Sequence, residues 1–447
     1  MLQKLSFYFD SWLNLVIAFC LSFLIIGHTL PAKADVIYQA FDQPFQEIEN
    51  QLPQLKADGF TYIQISPPQK SHPSEAWWGR YQPIDFAVIE GPLGNKEQLK
   101  SLINKAHQED LKILVDVIFN HMANYGDYPN TLNYPHYSPQ DFHPKTCMDN
   151  DQDPYVLTHG WLSCNLPDLN TESKYVRKEA KNYLNLLLDL GVDGFRIDTV
   201  KHVEPEFFEE VLAIVPADKY VYGEVLSGNP DESYLYTGIH GLDSTDYPLL
   251  GTLKKAFSLG GDLRSLIDPV SFRGALRGSE AVTFAKTHDT IPGGESYDFY
   301  GFDERDQMLA NAYVLARQDG TPLIFRDDAN DPIVQAGSHF HEQLLPQPQY
   351  FRNGKEIAQG GDSPNLLFIE RGDQGIAMVN KAGEAFAPTV AKMPGLAEGC
   401  YEELVNDLTM CIGVGDDGQK YVSQWNSTDK GGLDIPPRSA LFFVKQD

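Results

Sequence analysis

Cysteine is scarce: five residues in 447, no two of them in a Cys-x-x-Cys pair. That argues against a thiolate metal module. Positive charge is scarce too. Against 62 Asp and Glu stand 35 Lys and Arg, a net charge of −27. So acidic a chain has no electrostatic reason to bind nucleic acid or an anionic membrane, and the surplus charge serves solubility. Internal repeats and low-complexity tracts are missing, so a solenoid or a linker-like chain is not expected. One apolar run stands out, Trp12 to Gly27, and it is somewhat short for a bilayer span. With Lys4 before it and Ala32-Lys33-Ala34 after it, residues 1–34 read as a signal peptide cut after Ala34, in preference to an uncleaved anchor. The expected protein is therefore secreted, extracellular or periplasmic, with no membrane partner after cleavage.

Cys20 lies inside that segment; Cys147, Cys164, Cys400 and Cys411 remain. Four cysteines allow three connectivities. Local pairing would close two short loops, each contributing about 3 kcal/mol if unstrained, and export permits disulfides.

The rest of the chain is aromatic-rich and long enough for one large domain with one or two smaller ones. Strand-like runs at Asp35–Phe41, Tyr62–Ser66, Lys112–Phe119, Gly194–Ile197, Tyr220–Glu224, Ala281–Thr287 and Thr321–Phe325 alternate with helical patterns. Ser173–Leu190 is the clearest helix, with Gly191 at its end. Such alternation implies a parallel sheet, and about eight units imply a (β/α)₈ barrel, the TIM-barrel fold of the α/β class. Residues 35–121 and 173–351 make the expected barrel. Residues 122–172 lack periodicity and form an inserted irregular domain after the third strand. Residues 352–447 carry short strands and turns, the pattern of an all-β sandwich.

In such a barrel, working groups sit at the C-terminal ends of strands. Asp198 ends the fourth strand, Glu224 the fifth, and Asp289 a late one; Asp116 lies on the third. Arg196 stands two residues before Asp198, on the same side of the strand, and a guanidinium there favours the ionised carboxylate. Two carboxylates of different protonation state are what glycoside cleavage needs, about 5 Å apart where the product keeps its configuration. A third acid can orient the sugar. Trp77, Trp78 and Tyr81 lie in a Gly/Pro-flanked loop, where flat rings can stack on sugar faces.

These residues resemble the α-amylases of the family 13 glycoside hydrolases. The resemblance rests on Asp116-Val-Ile-Phe-Asn-His121, Gly194-Phe-Arg-Ile-Asp-Thr-Val-Lys-His202, Tyr222-Gly-Glu-Val225 and His288-Asp289. A fifth segment, Leu166-Pro-Asp-Leu-Asn170, adds to it. Trp77-Trp78-Gly-Arg-Tyr81-Gln82 and the cysteine placements are similar to those of animal-type members. The resemblance implies Asp198 as nucleophile, Glu224 as general acid/base and Asp289 as transition-state stabiliser. Trp77, Trp78, Tyr81, Gln82, His121, Arg196, Lys201, His202 and His288 would bind substrate. It also implies a Ca²⁺ site from Asn120, Asp168 and the His202 carbonyl, an all-oxygen set that suits this ion. Thr287 stands where chloride-activated members carry Asn, so chloride, with Arg196 and Arg326 as its ligands, is left open. The expected activity is retaining endo-hydrolysis of α-1,4 bonds in a polysaccharide or oligosaccharide by a monomer. An α-glucosidase, a glucanotransferase or a non-catalytic glucan-binding protein on the same fold are the alternatives.

Overall fold

The computed structural model describes residues 35–124, 134–148, 153–294, 296–361, 364–406, 408–426 and 432–446. The expected signal segment, 1–34, lies outside them. Among the described residues eight parallel strands close a barrel. In chain order they are Ile37–Ala40, Tyr62–Ile65, Lys112–Val117, Gly194–Ile197, Tyr220–Gly223, Asp243–Thr245, Ala281–Thr283 and Thr321–Phe325. Each pairs in parallel with its neighbours, the last closing on the first. The sixth, Asp-Ser-Thr, is the strand that apolar patterning does not reveal: it has three polar residues and no run to detect.

The helices between them follow their local signals. Lys96–Gln108 starts at Asn95, whose side chain accepts from Gln98 N while Gln98 returns the bond, a reciprocal cap. Lys174–Leu190 starts at Ser173 and stops at Gly191, whose φ of 95° a side chain would resist. Their apolar faces cover the outside of the strands. The lumen is packed by Ile37, Tyr62, Leu114, Tyr220, Tyr222, Val282 and Leu323, so the barrel is a core and its chemistry is confined to the rim.

Two excursions rise from that rim. After the second strand the chain makes a small antiparallel sheet, Gln69–Ser71 with Pro83–Gly91 and Gly94–Asn95, and a 3₁₀ turn over Trp77–Tyr81. After the third strand comes the irregular insertion. Its described parts include a short helix, Pro154–His159, and a disulfide between Cys147 and Cys164. The C-terminal all-β unit is hydrogen-bonded as one seven-stranded antiparallel sheet, with Cys400 bonded to Cys411 across two neighbouring strands. One face packs on the helices Glu304–Ala316 and Pro332–Leu344. The other is covered by the chain around Ala391–Leu396 and Leu433–Ile435.

Candidate active site

The fourth strand sets the site. A Cβ on Gly194 would meet the Tyr220 carbonyl oxygen at 1.8 Å, so only glycine lets the fourth and fifth strands approach at this level. The ladder then continues to the rim: Asp198 N donates to Val117 O (2.9 Å), and Glu224 N to Ile197 O (2.8 Å). Thr199 turns into the left-handed region, φ 49°, uncommon for a β-branched residue and characteristic of functional sites. That turn aims its N–H at Glu224 Oε2, 3.3 Å away.

Arg196 is the hub. Its Nη1 donates to Asp116 Oδ1 (2.8 Å) and Asp198 Oδ1 (2.5 Å), and its Nη2 lies 2.9 Å from Glu224 Oε1. Tyr81 OH donates to the other Asp116 oxygen (2.9 Å), and Tyr247 OH reaches Glu224 Oε1 at 3.4 Å. Asp198, Glu224 and Asp289 are 6, 6 and 7 % exposed, so the three acids are nearly dry yet not sealed. One guanidinium cannot hold four buried carboxyls ionised, and the group titrates as a unit. Burial and the neighbouring Glu224 charge push Asp289 well above the usual carboxylate range. Burial likewise raises Asp198, with Arg196 opposing, and raises Asp116 to about 6. Glu224 is also penalised by burial, but Arg196 and a hydrogen bond shared with Asp289 outweigh this and hold it down to about 2.

His288 is fixed from both sides. Gln39 Nε2 donates to its Nδ1 (3.1 Å), which leaves the proton on Nε2, 3.3 Å from Asp289 Oδ1. Its ring packs against those of Phe41 (4.5 Å) and Tyr81 (5.2 Å), both within 18° of parallel to it, and Trp77 closes the wall edge-on. Burial keeps the imidazole neutral, its pKa lowered to about 3. His121 donates from Nε2 to Tyr81 O (3.0 Å), and burial brings it down to about 4.

The expected substrate residues divide into two sets. Tyr81, Arg196 and His288 meet the acids, with Trp77 beside them and His121 behind Tyr81, bonded to its carbonyl. Trp78 does not join this wall: it is 40 % exposed and leans on His72. Gln82 accepts from Asn124 N (3.2 Å) and fastens the loop to the start of the insertion. Lys201 donates to Leu226 O (2.9 Å) on the opposite side of the rim. His202 Nδ1 bonds Leu157 O (3.1 Å) in the insertion, and burial lowers it to about 4. Sequence patterning does not reveal Gln39, Phe41 or Tyr247, because nothing in an apolar strand or a helix start marks them.

Asn120, Asp168 and His202 do converge. With Asn120 Nδ2 donating to His121 Nδ1 (3.3 Å), the other amide position lies 3.2 Å from Asp168 Oδ1 and 2.8 Å from His202 O. With the amide turned over, its nitrogen would donate to both; with its oxygen there, three oxygens face one another, a donor set that would suit a hard cation. Burial, opposed by His143, raises Asp168 to about 7. The two arginines weighed for chloride serve different partners. Arg196 is engaged by carboxylates, while Arg326 donates to Phe41 O (2.6 Å) and lies against Asp327.

Known proteins resemble this chain in sequence and fold. The family model of the α-amylase catalytic domain matches residues 44–245. An α-amylase of Aeromonas hydrophila is 32 % identical over 397 residues, 78 % of this chain and 85 % of that protein. One from Phaedon cochleariae is 28 % identical, covering 90 % of this chain and 93 % of that protein. The chain belongs to the α-amylase family. It is a family 13 glycoside hydrolase. Among solved structures, α-amylase I of Eisenia fetida superposes with a TM-score of 0.78 at 20 % identity, over 94 % of this chain and 99 % of that one. A cyclomaltodextrin glucanotransferase reaches 0.71 at 19 %, so the fold is shared across reaction types. No described helix of this α-amylase is long and apolar enough to cross a membrane.

Proposed function

We propose that this enzyme cleaves internal α-1,4 bonds of starch-like glucans with retention of configuration. The observation that carries the reading is the single guanidinium bonded to both Asp198 and Glu224. Retaining enzymes hold their two carboxyls about 5 Å apart, a separation that one guanidinium fork can span. Asp198 attacks the anomeric carbon as the bond to the leaving oxygen breaks, and Glu224 gives that oxygen its proton. Water then yields a proton to Glu224, its oxygen bonds the anomeric carbon, and Asp198 is released. The proton that Asp289 shares with Glu224 is the one to be delivered. Sugar hydroxyls donating to Asp289 favour its ionised form and shift the proton onto Glu224. With Glu224 neutral, Asp198 is left as the carboxylate Arg196 holds.

The aromatic wall of Phe41, Trp77, Tyr81 and His288 supports a flat sugar at the cleavage position, and Lys201 with His202 stands on the leaving side. Asn120, Asp168 and the His202 carbonyl would hold Ca²⁺, whose role is to fix the insertion against the barrel. The barrel, the insertion at 122–172 and the C-terminal unit from 352 are read as three domains. The paired cysteines support an oxidising, extracytoplasmic location, for which an exported chain beginning at Asp35 is the check.

Asp198→Asn and Glu224→Gln should each lower kcat on long amylose about 1,000-fold or more with the unfolding transition unchanged. A variant keeping more than about a tenth of the activity removes that residue from the mechanism. On the wild type, a fast fall in viscosity with α-configured products supports endo-hydrolysis with retention. Cyclic or transferred products would favour the glucanotransferase alternative.

A further inference from the structure

A second cluster of ligating atoms lies in the insertion, outside the cleavage site and distinct from the oxygen set above. His143, His159 and Glu172 each offer one ligand atom, all within 4.8 Å of one another. His143 Nε2 is 2.9 Å from Glu172 Oε2, and His159 Nε2 is 2.8 Å from Glu172 Oε1. The far side of each ring is also engaged. His143 Nδ1 donates to Asp168 Oδ2 (2.6 Å). His159 Nδ1 donates to Tyr155 O (3.1 Å), with Thr158 Oγ1 at 2.9 Å.

With Nδ1–H of each ring on its acceptor, both Nε2 lone pairs face the Glu172 carboxylate, an arrangement that one metal ion would bridge. The alternative places a proton on each Nε2, with Thr158 Oγ1 donating to His159 Nδ1. Imidazoles whose Nδ1–H is held by a carboxylate or a backbone carbonyl are oriented as metal-binding histidines are. The rings are also packed in place. Tyr155 stacks on His159 at 4.1 Å, and the two imidazoles lie 4.3 Å apart. Trp161 Nε1 donates to His143 O (3.1 Å), and His143 N to Asp168 O (3.0 Å), fixing that backbone. Glu172 is 47 % exposed, so it can move inward, and solvent can supply a fourth ligand.

We propose that His143 Nε2, His159 Nε2 and a Glu172 carboxylate oxygen form a zinc site with one open position. Two nitrogens and one oxygen suit Zn²⁺, with bonds of about 2.0–2.2 Å, whereas Ca²⁺ selects oxygens. The ion would join the short helix Pro154–His159 and the extended chain at His143 to Glu172, which precedes the barrel helix Lys174–Leu190. It therefore clamps the insertion at the point where the chain returns to the barrel.

The test uses the full-length enzyme, stripped of metals and then saturated with calcium. Titration with ZnCl₂ should show one bound equivalent, a raised thermal midpoint and no displacement by excess calcium. Cobalt in its place should give the strong visible absorption of a four-coordinate centre. His159→Ala, at the more exposed ring, should weaken zinc binding about 100-fold or more and abolish the midpoint shift. Glu172→Gln, which keeps the shape of the side chain, should weaken it less. Absence of zinc binding in the wild type would show imidazolium–carboxylate pairs only and overturn the site, as would unchanged affinity in both variants.

Discussion

At the residue scale, burial decides protonation well away from the acids. His341 lies in the helix Pro332–Leu344, 1 % exposed, and donates from Nδ1 to Leu315 O at 3.1 Å. Burial, with Arg371 nearby, lowers its pKa to about 4 from an ordinary 6.5. Between those two values the unfolded chain binds a proton that the folded chain refuses, so stability rises with pH through the window. The contribution is complete above about 6.5 and is lost as pH falls through 4, about 3 kcal/mol in all. Asn can reproduce the Nδ1 donor without titrating. His341→Asn should therefore lose about 2–3 kcal/mol less than wild type in urea unfolding when the pH drops from about 7.5 to 4. Parallel losses in the two proteins would show that His341 does not carry this dependence. The same scale shows what a sequence reveals. Asp198, Glu224 and Asp289 were legible because each ends an apolar run that a parallel barrel must bury. Gln39, Phe41 and Tyr247 were not, since their role arises only when strands far apart in the chain close into a ring. His143, His159 and Glu172 carry no spacing signature at all, and their meeting depends on how an aperiodic segment folds back.

Between elements, the joints are made by cations placed on helix ends. Arg371, fully buried on a strand of the C-terminal sheet, donates to Ala316 O (3.1 Å) and Leu344 O (2.6 Å). These are the last residues of the helices Glu304–Ala316 and Pro332–Leu344. It also donates to Gln347 O (3.1 Å) and Leu345 O (3.3 Å). Lys381, one residue past the strand Gly375–Asn380 of that sheet, does likewise at the end of Tyr247–Phe257, through Ala256 O (2.7 Å) and Gly261 O (2.6 Å). Helix C-termini expose unpaired carbonyls and the negative end of the helix dipole, so a buried cation is stabilised there by oxygens alone. Arg371→Met keeps the apolar stem and strands four carbonyls. It should cost about 3 kcal/mol or more in unfolding free energy, with kcat unchanged in the enzyme that remains folded. A cost below about 1 kcal/mol would mean that water replaces the guanidinium and the joint rests on apolar packing. Alternation of strand and helix was readable from periodicity; these joints were not. A lone Arg or Lys in a β-rich segment looks like any surface charge until the helix ends opposite it are known.

For the molecule as a whole, the question is what holds three structural units in one working arrangement. The C-terminal sheet is fixed to the helices by a continuous apolar face. The insertion has less to hold it, since its described part is mostly irregular chain. Asn120 leaves the third strand, Asp168 lies in the insertion, and His202 follows the fourth strand, so the oxygen cluster joins the insertion to two strands at once. Without a cation, that geometry sets oxygen against oxygen, and Asn120 must turn its amide over and give up His121. The insertion would loosen beside His121 and His202, both at the rim. A ligand that binds only the folded state stabilises it by about 2.7 kcal/mol at a hundred times its Kd. Since about 2–4 °C accompany each kcal/mol in a domain of a few hundred residues, chelation should lower Tm by several degrees. EGTA should produce that drop, and excess calcium should reverse it. Asp168→Asn should begin at the lower midpoint and respond little to either. A midpoint unmoved by EGTA, or one that excess calcium fails to restore, would show that the three oxygens are held together by the protein alone.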